Sequence, residues 1–186
     1  VLGEPPLRLL AGCAFAFVGL QAIYTNFTVV YLAEEVGYDL ATAGAALGAA
    51  TLVAIPGRVL WGWVGSVWVA PRTLLTVLAC VMSGASAAMG FFSSAWSYGA
   101  IMVPLVLLSA TALSWHGLLL SEVAKHAASG EAGRLTGGVL AFGTMGQVVF
   151  PLFFLLGYLG GGYMGAFIAC AVPATVVAVG LVFARR

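Results

Sequence analysis

Arg58 lies inside the run Leu52-Val53-Ala54-Ile55-Pro56-Gly57-Arg58-Val59-Leu60-Trp61, in which no other side chain is polar apart from the indole N–H. An ionised group at the centre of a membrane span costs roughly 2.5 to 3.5 kcal/mol on insertion scales, so it is retained only with a partner or a task. Its guanidinium fork can take a carboxylate or phosphate through two parallel N–H bonds. It can equally snorkel to the headgroups or pair with Glu122 across a bundle. Gln21, Tyr24, Thr25 and Thr28 recur at i, i+3, i+4 and i+7, which puts them on one stripe of a helix, with Asn26 projecting elsewhere. In lipid such a stripe must face protein or water, as interhelical hydrogen bonds or as the lining of a cavity. Gln147, with Thr144 and Pro151 close to its face, presents the same pair of readings. His116 beside Trp115 titrates near neutrality and can relay a proton, or it is a hydrogen-bonded packing residue.

Other chemistries find no support. Ser114 and His116 are near neighbours on one helix, which does not aim one side chain at the other, and neither GxSxG nor HExxH occurs. The glycine runs lack the GKS or GKT ending of a phosphate loop. Cys13, Cys80 and Cys170 sit in apolar runs without metal-site spacing and read as small core residues. The expectation is therefore a chain that is not an enzyme and uses no cofactor or metal.

These residues need elements to hold them. Of 186 residues 62% are hydrophobic and 7% charged. A soluble domain carries about 25% charged residues, so the chain reads as an integral membrane protein in a lipid bilayer. Lys and Arg nearly cancel Asp and Glu, and the +1 balance gives no basic surface for nucleic acid. Turn and charge residues divide the chain into apolar runs over residues 7–33, 41–64, 72–92, 97–120, 136–159 and 163–184. Each is long enough to cross about 30 Å of hydrocarbon, and none alternates with period two, so the predicted fold is an all-α bundle of six transmembrane helices. Arg8, Arg72, Lys125, Arg134, Arg185 and Arg186 share one side, which the positive-inside rule makes cytoplasmic, with both termini. Gly44 and Gly48, flanked by Ala41, Ala45 and Ala49, make a small-residue face read as ordinary helix packing. Pro56, Pro104, Pro151 and Pro173 fall inside spans and favour kinks. The chain begins at Val1 without a signal peptide, so residue 1 is expected not to be the start of the gene product.

Two stretches resemble the C-terminal half of a major facilitator superfamily transporter. Gly57-Arg58-Val59-Leu60-Trp61-Gly62-Trp63-Val64-Gly65-Ser66, followed by Arg72, is similar to the end of the eighth helix and the cytoplasmic loop after it. Gly62 and Arg72 fit that pattern. Ser66 stands where the pattern has aspartate and Val67 where it has a basic residue, a departure that touches the charge relay of the loop. Trp115 to Lys125, continuing through Gly130 and Gly133-Arg134 to Thr136-Gly137-Gly138, is similar to the tenth-helix end, loop and eleventh-helix start. The Gly-Arg-x-x-Trp-Gly setting of Arg58 further resembles the monocarboxylate and oxalate/formate porter branch, where an arginine is associated with the substrate carboxylate.

The resemblance implies one half, a 3+3 inverted repeat, of a twelve-helix secondary carrier. Such a carrier moves a small solute, here an organic anion, by alternating access with an N-terminal six-helix half, in symport or antiport. Helices one, two, four and five would face the cavity and helices three and six the lipid. Arg58, Gln21, Tyr24, Gln147, Thr144 and His116 would contact substrate, and Gly62, Ser66, Arg72 and Glu122 would form the conformational loop motif. The implied location is a bacterial inner membrane. The alternative is a self-contained six-helix protein with a structural or channel role, possible as a homodimer.

Overall fold

The computed structural model describes residues 4–128 and 130–184, and no strand occurs among them. Helix α1, Pro5–Tyr31, opens on two prolines whose missing N–H groups cost nothing in a first turn. Its 27 residues reach about 40 Å, enough to cross a bilayer core. It continues into a π-helical turn, Leu32–Val36. Asp39 then caps α2, Leu40–Leu52, its Oδ1 accepting the backbone N–H groups of Ala41 and Thr42 at 3.0 Å.

The Thr42 hydroxyl and backbone bonds hold the Asp39 carboxyl below its ordinary value of 3.8. A carboxyl depressed in the fold adds stability that is complete above its unfolded pKa and is lost as pH falls through the folded one. Asp39→Ala is therefore expected to lower the melting temperature at neutral pH. The deficit should shrink as pH drops below 3.8, which melts of both proteins in detergent will check.

Helix α3, Ala54–Val67, follows α2 after a break at Val53. Pro56 is the cause: it has no N–H for the Leu52 carbonyl, and its ring crowds that carbonyl. Next come α4, Pro71–Met89, and α5, Tyr98–Ala112, the latter capped by Ser97 Oγ on the Ala100 N–H. Helix α6 covers His116–Ala124 and α7 covers Ala132–Phe183. The helical conformation of α7 is interrupted at Gly161 and Gly162, the latter at φ +60° and ψ −152°, a backbone open in practice only to glycine. Beyond it the chain turns back, so that Gly157 and Gly165 lie backbone to backbone and the Cys170 thiol comes 4.0 Å from the Phe150 carbonyl. Residues 132–160 and 163–183 are thus two antiparallel legs.

By length and composition five helices among the described residues are able to cross a membrane: Pro5–Val36, Leu40–Val67, Pro71–Met89, Tyr98–Ala124 and the doubled-back Ala132–Phe183. The fold is an all-helical membrane bundle. Two expected runs differ in detail. The second is broken at Val53 and extends to Val67, and the fourth is broken at residues 113–115 and runs on to Ala124, through the start of the stretch read as a loop. Arg185 and Arg186 lie outside the described residues.

Helix α1 runs through the centre, with Phe17, Tyr24 and Tyr31 fully buried. The first leg of α7 lies beside it, and the crossing depends on Gly146, against which the Phe15 backbone packs directly. The second leg binds α4 through hydroxyls: Ser83 Oγ and Thr175 Oγ1 are 2.6 Å apart, and Ser86 Oγ donates to the Phe167 carbonyl at 3.1 Å. Hydroxyl bonds of this kind add to the close van der Waals packing that holds membrane helices together where lipid offers no hydrophobic contrast. The Gly44 and Gly48 face behaves otherwise than expected. Among the described residues nothing packs on it, for a Cβ added at either position would meet no atom within 4 Å.

The start of α1 and the end of α7 come together at one end of the bundle, where Pro6, Leu10, Arg72, Glu122, His126 and Leu181 surround a small cavity. At the other end the Tyr31 hydroxyl donates to the Met89 carbonyl and the Tyr163 hydroxyl to Glu34.

Candidate functional site

The breaks in the second and fourth apolar helices face each other and are stitched by three long-range bonds. Helix α5 ends as Leu113 leaves ideal helical geometry (φ −96°, ψ −4°), and the Ser114 N–H turns from the Ala110 carbonyl to Thr111 at 3.2 Å. The Ala110 carbonyl is taken up by Trp61 Nε1 at 2.6 Å, and that of Leu113 by Arg58 Nε at 3.0 Å. In return Ser114 Oγ donates to the Ala54 carbonyl at 3.0 Å. Irregular backbone at membrane depth requires such substitute partners. The helices come together at Gly57, where a Cβ would sit 3.1 Å from Ser114 Oγ and 3.3 Å from the Ala110 oxygen.

Trp61→Phe keeps the ring and removes the donor, leaving the Ala110 carbonyl unpartnered. A loss of about 1 to 3 kcal/mol of stability is expected. Trp63→Phe, whose ring is mostly exposed and makes no such bond among those described, should melt like the parent.

Arg58 is exposed, and it donates through Nε to the Leu113 carbonyl. It does not pair with Glu122, which instead holds Lys125 at 2.8 Å. His116 is half-buried, stacked on fully buried Trp115 with ring centroids 3.9 Å apart, and within electrostatic reach of the Arg58 cation. Arg58, Trp61, Ser114, Trp115 and His116 are thus gathered at one level of the bundle.

The stripe on α1 divides. Tyr24 and Thr28 are buried, with the Tyr24 hydroxyl donating to the Leu105 carbonyl at 3.1 Å and Thr28 Oγ1 bonding the Tyr24 carbonyl at 2.6 Å. Gln21 is half-buried, whereas Thr25 is exposed and returns its hydroxyl to the Gln21 carbonyl of its own helix. The stripe is thus split between interior and open surface, with Tyr24 and Thr28 packed inside and Thr25 on the face that no described residue covers. Thr144 and Gln147 are also exposed, the former bonding the Ala141 carbonyl at 2.8 Å. The Phe150 ring packs on Gly19, so Gln147 and Gln21 fall at similar depth, within about 8 Å along the bundle at 1.5 Å per residue.

The loop residues separate into two places. Gly62 and Ser66 line a cavity of about 640 Å³ with Pro71, Gly117, Ser121 and Lys125. Arg72 and Glu122 meet at the small cavity on the terminal side. Trp61 and Ser114 carry the seam but have no distinguishing sequence signal: one is an indole among others in an apolar run, the other a serine near a helix end.

A multi-pass helical bundle with polar and charged side chains held at membrane depth defines the class as an integral membrane protein of the transporter type. The sequence profile of the Major Facilitator Superfamily matches residues 1–151, and the chain belongs to that superfamily. No curated protein matches the chain. Membership makes its activity the movement of a small solute across a membrane and not an enzymatic reaction.

Proposed function

We propose that the chain is the C-terminal six-helix half of a secondary carrier for a small organic anion, working by alternating access with an N-terminal six-helix half. The observation that carries this reading is Arg58, anchored by Nε on the Leu113 carbonyl at 3.0 Å and otherwise exposed. A guanidinium fixed by one nitrogen loses little freedom when its others engage a carboxylate. Thr25 on α1 and Thr144 and Gln147 on α7 are exposed within apolar helices, and polar groups there call for water or protein and not lipid. Half-buried Gln21 and His116 complete the proposed substrate-facing set, whereas Tyr24, fully buried and bonded to the Leu105 carbonyl, is a packing residue. The open face of α2 and α3, with Gly44, Gly48, Ile55 and Val59 exposed, is the surface offered to the other half.

In this reading the two halves rock about a midplane site, and Gly62, Ser66, Arg72 and Glu122 mark the loop that moves. In the same reading the membrane is a bacterial inner membrane with both termini cytoplasmic, an orientation that the one-sided distribution of basic residues supports. Uptake of a panel of carboxylates into vesicles bearing the full natural protein, with and without a pH gradient, tests the proposal. Saturable uptake of at least one is expected, and no response to any would remove the anion assignment while leaving the superfamily intact. The same open α2 face fits a second copy of the chain, so a six-helix homodimer is the competing reading. Gene sequence encoding six further spans upstream of Val1 would exclude it.

A further inference from the structure

Among the described residues the buried side-chain polar atoms without a protein partner are Gln21 Oε1, Arg72 Nε, Ser109 Oγ and Trp115 Nε1, and all but Arg72 belong to the seam between α1 and the stretch from α5 to the start of α6, which meet through Phe17 and Trp115 and through Tyr24 and Leu105. Phe17, Gln21 and Tyr24 are spaced i, i+4 and i+7 and share one stripe of α1. Two contacts set the register of that stripe. The Phe17 ring meets Trp115 edge-on with centroids 5.5 Å apart, and the Tyr24 hydroxyl donates to the Leu105 carbonyl with Ser109 beside it. The helices are therefore antiparallel here, and Gln21 falls between the levels of Trp115 and Ser109. Both of those residues are at most 0% exposed, so bulk solvent does not reach them.

The chemistry left open is an amide acceptor, a hydroxyl and an indole donor. Each buried polar group without a partner costs about 1 to 3 kcal/mol, and the seam lies at membrane depth. An apolar occupant would leave all three unpaired, and none of these residues carries a charge to hold an ion. Water both donates and accepts, and it needs two to four polar partners. Ala112, one turn from Ser109 and from Trp115, adds only a methyl group at the level of Gln21 and limits side-chain bulk there. We propose that this seam binds ordered water that bridges Gln21 Oε1, Ser109 Oγ and Trp115 Nε1. The inference is independent of the solute and of which reading of the other half holds.

The test is a water-to-indole NOE in the full natural protein, labelled with ¹⁵N-tryptophan in deuterated-lipid nanodiscs, the Trp115 signal being assigned by its disappearance in Trp115→Phe. A water cross-peak at the Trp115 indole is expected, and it should be lost in Gln21→Leu and weakened in Ser109→Ala. Absence of the cross-peak at Trp115 while exposed Trp68 shows one would overturn the proposal, as would a peak unchanged in both variants. A density map showing Trp115 Nε1 bonded directly to Gln21 Oε1 would also overturn it. Should neither variant fold, the parent cross-peak and the map decide the matter.

Discussion

Gly146→Ala should cost at least 3 kcal/mol, on the order of the upper range for overpacked cores, and Gly146→Val should prevent recovery of folded protein. A Cβ at position 146 would collide with the carbonyl oxygen of Phe15 and lie 2.9 Å from its carbonyl carbon and 3.1 Å from its Cα. A side chain in the way can change rotamer, but a helix backbone can yield only by moving the whole of α1. That helix carries the buried centre of the bundle, from Leu7 to Tyr31, so the displacement would spread to α5 and to both legs of α7. Folded proteins have about 5 to 15 kcal/mol in hand, and a loss of this size is a large part of it. Melting temperature and monodisperse yield after detergent extraction check the prediction. Gly137→Ala is the control, since an added Cβ meets nothing within 4 Å there, and alanine should improve the helix by about 0.5 to 1 kcal/mol. A Gly146→Ala protein that melts like the parent would mean that α1 and the first leg of α7 do not cross as described.

The same glycines show what a single sequence conveys about such a fold. Apolar runs and their polar boundaries mark the helices because lipid tolerates little else, and the Gly160-Gly161-Gly162 turn and the Pro56 break follow from local backbone chemistry. Which glycines sit at a crossing does not. Gly44 and Gly48 have the spacing of a packing face yet are open, while Gly146 has no such pattern and lies directly against the Phe15 backbone, because contact depends on the partner helix and not on local spacing. The break at residues 113–115 was invisible for a related reason. Leu-Ser-Trp-His contains neither proline nor glycine, and its loosened carbonyls are held by Trp61 and Arg58 from another helix. Pro104, Pro151 and Pro173, by contrast, lie inside uninterrupted helical stretches, so proline alone did not locate the breaks. At the candidate site the ionisable and amide residues announced themselves by their rarity. The neighbours that fix Arg58 did not, since serine and tryptophan are unremarked in an apolar run.

Arg58→Gln separates the two tasks that the geometry gives this residue. Glutamine retains an N–H donor for the Leu113 carbonyl but carries no charge and no fork. If Arg58 served the helix break alone, this variant would melt and transport like the parent. On the organic-anion reading it should keep most of the parent's thermal stability while losing a charge-assisted bond to the substrate, an effect of about 1.5 to 3 kcal/mol, or roughly 10- to 100-fold in apparent affinity. Arg58→Lys should fall between them. Its single ammonium can reach the Leu113 carbonyl or an anion, but it cannot occupy one through Nε while offering a planar pair of donors to the other. Arg58→Ala removes both functions, so its loss of uptake would come with a lower melting temperature and is the least informative of the three. The measurement is the concentration dependence of carboxylate uptake by the full natural protein in vesicles, paired with melts of the same preparations. Unchanged uptake and affinity in both Arg58→Gln and Arg58→Lys would assign the arginine to the seam between α3 and α5 and would move the search for the anion site to the exposed Thr144 and Gln147 face.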